Sequence, residues 1–276
     1  MAADTPSEPS EEELRKLWKP DPTDEKVRAI LMETYAADCE NLRIVSSLES
    51  YDDRNYQIEI DGTPYLLKIH NGVESQDMIK AWKKNDMDYR ACGNSSVIHL
   101  QNGIMDHLNE SGIPTSKPQL HLNAPMVVKS LPVVSSKDSP KELVIRLLSW
   151  VPGSPMSSVK FLPIEALAGA GEFLGKMAVK LDLMDASSYA AASRFHAWDG
   201  KNLVGLKDFT DCIEDEKRRG LVLSVVDTFQ RRILDSGVGS KLRKGIIMGD
   251  YNDANIIIND NYQVNGVIDF GDSVER

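Results

Sequence analysis

Three short apolar runs lie near the end of this 276-residue chain: GIIM at 245–248, III at 256–258 and VNGVID at 264–269. They are too short for helices and rich in β-branched residues, so they read as strands. MGDYNDAN at 248–255 and the FGD after Asp269 are then polar loops at strand ends. Neighbouring short strands bring their ends together, which limits the chain to folds that gather Asp250, Asn255 and Asp269 in one place. Asp and Asn also favour ordinary turns, so an isolated D-x-x-x-x-N says little. The apolar strands on each side and the DFG that follows make the pattern specific.

That trio fits kinase-type phosphoryl transfer. The chemistry needs a carboxylate that positions an acceptor hydroxyl and takes its proton, and oxygen ligands that hold Mg²⁺ against nucleotide phosphates. Asp250 fits the base. Asn255 and Asp269 fit the metal ligands, because Mg²⁺ needs few protein oxygens beside water and phosphate. Lys68, in the strand-like YLLKIH, is placed to meet phosphates; the plainer reading is a strand lysine whose amine reaches solvent. In the hairpin tip YDDRNY at 51–56, backbone N–H groups, Arg54 and Asn55 would cover phosphates, or form a simple polar turn. Leu148 and Trp150, where a strand ends before Pro152, offer an edge for the nucleotide base or a buried strand end. The chain has no G-x-G-x-x-G, no G-x-x-x-x-G-K-[ST] and no G-x-S-x-G, so neither a P-loop nor a hydrolase elbow is expected.

Composition sets the wider limits. Hydrophobic residues make up 41% and charged residues 27%, with formal net charge -10. That balance argues against nucleic acid or an anionic membrane as partner, and is compatible with a nucleotide met by Mg²⁺ and one or two cations. Cys39, Cys92 and Cys212 are far apart, without C-x-x-C, so no disulfide framework or zinc site is expected. His70, His99, His107, His121 and His196 share no ligand spacing and read as structural or surface residues. The N-terminal stretch has neither the basic n-region nor the apolar h-region of a signal peptide, and no run reaches membrane-span length. A cytoplasmic protein is expected.

Residues 1–22 read as a disordered acidic tail and 23–37 as a helix with Val27, Ile30, Leu31 and Thr34 on one face. Strands follow at 42–48, 55–60 and 65–69, the last two joined by Asp61-Gly62 as an antiparallel hairpin. The polar stretch 71–95 shows no period. A helix is expected at 97–109, strands at 126–134 and 143–150, and a break at Pro152-Gly153. Helices at 164–183 and 214–234 complete the reading, with Leu167, Leu174 and Leu181 on one apolar face and Leu221, Val225, Phe229 and Ile233 on the other.

Taken together, the Lys68 strand, the break at Pro152, MGDYNDAN and IDFGD resemble the aminoglycoside phosphotransferase / choline kinase-like family. DDRNY, VIRLLSWVPGSP, LGKMAVKLD and GDYNDANIII with GVIDFGD carry the resemblance in detail. It implies an α+β, two-lobed protein-kinase-like fold: an antiparallel-sheet nucleotide-binding lobe at 23–150 and a helical catalytic lobe at 151–276, incomplete and lacking its last helices. It further implies transfer of the γ-phosphate of GTP, or of ATP, to the hydroxyl of 5-hydroxy-L-lysine, with Mg²⁺ as cofactor. Asp250 then matches the base, Asn255 and Asp269 the metal ligands and Lys68 the phosphate anchor. Asp272 matches a further acid whose role the resemblance leaves open.

Three positions depart from the family pattern. Met248 stands where such loops carry a bracing His. Gln101 aligns with the helix Glu that usually pairs with the lysine, so a hydrogen bond replaces an ion pair there. The stretch 80–94 reads as an inserted loop. Two other functions stay open: a nucleotide-binding pseudokinase or fragment without turnover, and a kinase acting on another amino alcohol such as choline, ethanolamine, homoserine or an aminoglycoside.

Overall fold

The computed structural model describes residues 9–35, 41–84, 97–119, 126–135, 139–196 and 199–276. Its first half is built on a five-stranded antiparallel sheet of β1 (Leu42–Leu48), β2 (Arg54–Ile60), β3 (Thr63–Ile69), β4 (Met126–Lys129) and β5 (Glu142–Ser149), in the order β1-β2-β3-β5-β4. Asp61 and Gly62 turn β2 into β3 with φ of 50° and 75°. Both angles are positive, as the tight turn that matches strand twist requires. The expected alternation in β2 holds, with Tyr56 and Ile58 buried.

Helices cover both faces of this sheet. On one face, α2 (Asp24–Tyr35) lays Val27, Ile30 and Leu31 against Tyr56, Ile58, Leu67, Ile69, Leu143, Ile145 and Leu147. On the other lie α3 (Gly72–Lys84) and α4 (Val97–Glu110), where Met78, Ile79 and Ile98 meet Val144. With both faces covered, β5 is buried along nearly its whole length, Arg146 included.

After β5 the chain crosses at Pro152-Gly153. The second half holds α5 (Ile164–Leu181), a run of 3-10 turns, α6 (Glu216–Phe229) and five short strands. In chain order these are β6 (Ser154–Pro155), β7 (Ile246–Ile247), β8 (Ile256–Ile258), β9 (Val264–Val267) and β10 (Val274–Glu275). β6, β8 and β9 form one small sheet, and β7 pairs with β10. A single apolar cluster joins the halves: Leu100, Ile104, Leu108 and Leu148 pack with Met177, Leu181, Met248, Ile256, Val267 and Phe270. No helix of the described residues is long and apolar enough to cross a membrane.

Several expectations are corrected. The tail 1–22 contains a helix, α1 (Glu11–Leu17), whose Ser10 and Glu13 form a reciprocal capping box; residues 1–8 lie outside the described residues. The aperiodic stretch after residue 71 contains α3, whose buried face mixes Gly72 and Ser75 with Met78 and Ile79 among the described residues and so reads as polar. It takes in 80–84 of the expected loop, and 85–94 lie outside the described residues, as do Cys39, Cys92 and His121. On α5 the buried residues are Ala166, Ala170, Met177 and Leu181, while Leu167 and Leu174 are exposed. The alanines let the helix approach the strands closely, which rotates the buried stripe by one residue. α6 likewise buries Val226 and exposes Leu221 and Val225.

Candidate active site

Lys68 sits on β3, paired across the sheet with Asn55 on β2 and Arg146 on β5. Residues directly opposite in a ladder point to the same face. Leu66 and Leu148 are the neighbouring pair on that face and belong to, or pack against, the cluster joining the halves. The Lys68 ammonium lies 2.8 Å from Asp53 Oδ2 and 3.9 Å from Asp269 Oδ2. Burial by itself would favour the neutral amine. Asp269 and Asp53 outweigh it and raise the Lys68 pKa well above the ordinary lysine range. Asn55 Oδ1, on the same face, is buried with no hydrogen-bond partner among the described residues.

Asp250 and Asn255 share the loop between β7 and β8. Asn255 Nδ2 donates to the Asp250 backbone oxygen at 3.0 Å and to Asp250 Oδ2 at 2.9 Å. Asn252 Nδ2 donates to Asp250 Oδ1 at 2.8 Å. The base candidate is therefore held by two amides, and the Asn255 carboxamide oxygen is left to other partners. Gly249, at φ 85°, precedes it, and a Cβ there would stand 2.1 Å from the Asp272 oxygen. Only glycine permits this approach of the two loops. Tyr251 ties the loop to α5 by donating to the Ala170 oxygen at 2.8 Å.

Asp269 follows β9 at φ 62°. That left-handed backbone ends the strand at Val267, two residues short of the expected end, and is strain of the kind held at functional sites. Asp269 Oδ1 accepts from Gly271 N at 3.0 Å. Phe270 is buried in the joining cluster and anchors the turn. Asp272 is raised above the usual carboxylate range, first by burial and then by the nearby charges of Asp250 and Asp269, with His196 opposing. The three carboxylates thus share one field.

Two sequence expectations are not met by the geometry. Arg54 lies on the opposite face from Lys68, because strand side chains alternate; it pairs with Asp21 and donates to the Pro20 oxygen at 3.3 Å. Gln101 does not meet Lys68. Its carboxamide oxygen accepts from Arg146 Nη1, and Asn102 Oδ1 accepts from Arg146 Nη2 at 2.6 Å. Trp150 is half-buried just beyond β5. Met248 lies inside the joining cluster at 3% exposure, and its backbone oxygen accepts from Ser273 Oγ at 3.2 Å.

Residues that the sequence did not single out complete the surroundings. Arg194 donates to the Ser273 oxygen at 2.6 Å and the Gly271 oxygen at 2.8 Å, and His196 Nε2 lies 3.1 Å from Asp272 Oδ1. On the other side, Asp53 Oδ1 accepts from Asn71 N at 2.8 Å. Lys19 donates to the Ser50 and Tyr51 oxygens at 2.7 and 2.9 Å, and Arg15 pairs with Asp52 at 2.6 Å. No spacing rule marks these residues. Asp53 had a signal in its place within YDDRNY. The β1–β2 turn also shapes an open cavity of about 550 Å³, lined by Lys19, Tyr51, Asp53 and Arg54, which is separate from Asp250.

Residues 44–274 match the family described as the phosphotransferase enzyme family. Among curated proteins, hydroxylysine kinase of Mus musculus is 25% identical over 249 residues, covering 83% of this chain and 59% of that protein. Hydroxylysine kinase of Xenopus laevis is 24% identical, covering 83% and 60%. The chain spans about three fifths of the length of these relatives. Among solved structures, the GDP complex of wild-type aminoglycoside 2'-phosphotransferase-IIIa superimposes with a TM-score of 0.56 at 16% identity, covering 91% of this chain and 73% of that one. Aminoglycoside phosphotransferase APH(4)-Ia does so with 0.55 at 12% identity, covering 92% and 73%. The fold is the α+β, protein-kinase-like fold of these enzymes.

Proposed function

The chain belongs to the phosphotransferase enzyme family, and on that premise we propose that it transfers the γ-phosphate of a nucleoside triphosphate to the hydroxyl of a small amino alcohol or hydroxylated amino acid. One observation carries the reading: the Lys68 ammonium is 3.9 Å from Asp269 Oδ2. A strand lysine from the first half and the IDFGD acid from the far end of the chain meet as a phosphate- and metal-binding pair would. Residues 23–150 serve in this reading as the nucleotide-binding lobe and 151–276 as the catalytic lobe. A cytoplasmic location accompanies it.

The donor set fits Mg²⁺. Asp269 Oδ2 and the Asn255 carboxamide oxygen are hard oxygen ligands, and Asn255 Nδ2 is already engaged by Asp250. When bound, the ion would neutralise charge on the transferring phosphate. Asp250 orients the acceptor hydroxyl and takes its proton. Lys68 anchors phosphate oxygens, and Leu66 and Leu148 form an apolar floor for the base. The curated relatives named hydroxylysine kinase support 5-hydroxy-L-lysine as acceptor. The GDP complex of a structural neighbour supports GTP as donor, with ATP the alternative.

The test is transfer of labelled γ-phosphate from GTP and ATP to hydroxylysine, choline, homoserine and an aminoglycoside. Hydroxylysine is expected to be labelled most efficiently, and Asp250→Asn to lower the rate by at least about 10²-fold. Equal rates in the two proteins would refute the assignment of the base. Met248 favours a second reading, a nucleotide-binding protein without turnover, since its thioether gives the loop no polar brace. Nucleotide binding with no labelled acceptor would select that reading.

A further inference from the structure

The ladder register sets Leu48, Asn55, Lys68 and Arg146 in a row across one face of the sheet. α4 covers this face with Gln101 and Asn102, and Arg146 takes both. Both are neutral amides, so at this level α4 gives Lys68 no carboxylate. The acid in direct contact comes instead from the β1–β2 turn, with Glu74 of α3 adding negative charge at longer range. The Asp53 side chain is 7% exposed, with Oδ2 on Lys68 at 2.8 Å and Oδ1 on Asn71 N at 2.8 Å. With both oxygens engaged, it cannot rotate without losing a bond. The turn around it is tied down as well: Asn71 Nδ2 donates to the Asp52 oxygen at 3.0 Å, Lys19 holds the Ser50 and Tyr51 oxygens, and Arg15 holds Asp52.

We infer that Asp53 is the positioning residue for Lys68, fixing its ammonium by direct contact from the turn beside the phosphate site, where α4 offers only the amides of Gln101 and Asn102. The inference rests on the reading of Lys68 as the phosphate anchor. Asp53, His70 and Glu74 have ligand atoms within 4.8 Å of one another, a spacing that would also suit a cation. Lys68 on Asp53 and Arg15, 3.8 Å from Glu74, already supply positive charge there. Because Asp53 is itself an anion, it works against phosphate affinity while holding the ammonium in place. Its loss therefore acts on turnover more than on nucleotide binding.

The experiment compares wild type, Asp53→Asn, Asp53→Glu, Lys68→Met and the Asp53→Asn/Lys68→Met double variant, with melting curves to confirm folding. Asp53→Asn keeps an oxygen for Asn71 N. It is expected to lower kcat at least about ten-fold while nucleotide Kd moves less than about three-fold. Asp53→Glu should fall between wild type and Asn, and takes over the test if the Asn variant does not fold. In the Lys68→Met background, Asp53→Asn should cost nothing further. Unchanged kcat in Asp53→Asn and Asp53→Glu, or an undiminished loss without Lys68, overturns the inference. Lysine ¹H–¹⁵N spectra of the nucleotide-free protein read the pair directly. A slowly exchanging Lys68 ammonium signal, identified by its absence in Lys68→Met, should vanish or shift in Asp53→Asn; an unchanged signal also overturns the inference. A wild-type protein that neither binds nor turns over nucleotide overturns the phosphoryl-transfer reading itself, and the spectra still decide whether Asp53 holds Lys68.

Discussion

Asp53 and Met248 show how single buried side chains set the support of the candidate site. At 248 an imidazole would offer hydrogen bonds to its loop; the thioether offers packing against Phe270 and the β-strands, and the polar support moves to Ser273 and Arg194. Asp53 titrates in a way that can be measured. Burial would raise its carboxyl, but Lys68, His70 and the Asn71 N–H hold it below its ordinary 3.8. A carboxyl depressed in the folded state stabilises above its unfolded pKa, and that contribution is lost as pH falls through the folded value. Asp53→Asn should cost about 3 kcal/mol at pH 7, as removal of one partner from a buried ion pair does. The difference in Tm from wild type should shrink as pH falls below 3.8. A difference constant from pH 7 to pH 3 would contradict the pairing. Lys68, raised by the same contacts, adds no loss until pH rises above the ordinary lysine range.

The elements divide by how their sequence signals arise. The β1–β3 meander was legible because alternation and Asp61-Gly62 fix its register locally. The Asp250, Asn255 and Asp269 loops were legible because short apolar strands frame them. α3 was hidden because its buried face mixes Gly72 and Ser75 with Met78 and Ile79, and part of its support comes from α1 and β5: Gly72 N donates to the Trp18 oxygen at 3.1 Å. The side of the sheet that Arg54 faces follows from strand alternation, yet what waits there, Pro20 and Asp21, belongs to a segment that reads as a charged tail. The IDFGD turn likewise depends on residues distant in sequence. Arg194 spans the Gly271 and Ser273 oxygens, so Arg194→Met, which keeps the apolar stem, should loosen the turn that carries Asp269. Titration calorimetry should show about ten-fold weaker Mg·nucleotide binding, with a lowered Tm. Unchanged affinity would mean that Gly249 and Phe270 suffice to hold the turn.

At the scale of the molecule, the apolar cluster running from α4 and Leu148 into α5, β8 and β9 fixes how the two halves meet, and the Lys68–Asp269 approach depends on it. Composition indicated an acidic globular chain; the site arises only where the halves join, which local patterns do not describe. Ligand linkage makes this checkable, since a ligand at 100 times its Kd adds about 2.7 kcal/mol to stability. The most direct measurement is calorimetric titration of GTP into wild type and Asp269→Asn, with Mg²⁺ and with chelator. Lys68, Asn255 and Asp269 acting as one metal-nucleotide site predict saturable binding by wild type with Mg²⁺, weakened at least about ten-fold by chelator and by Asp269→Asn. No binding by wild type, or equal affinity in all four titrations, would contradict it.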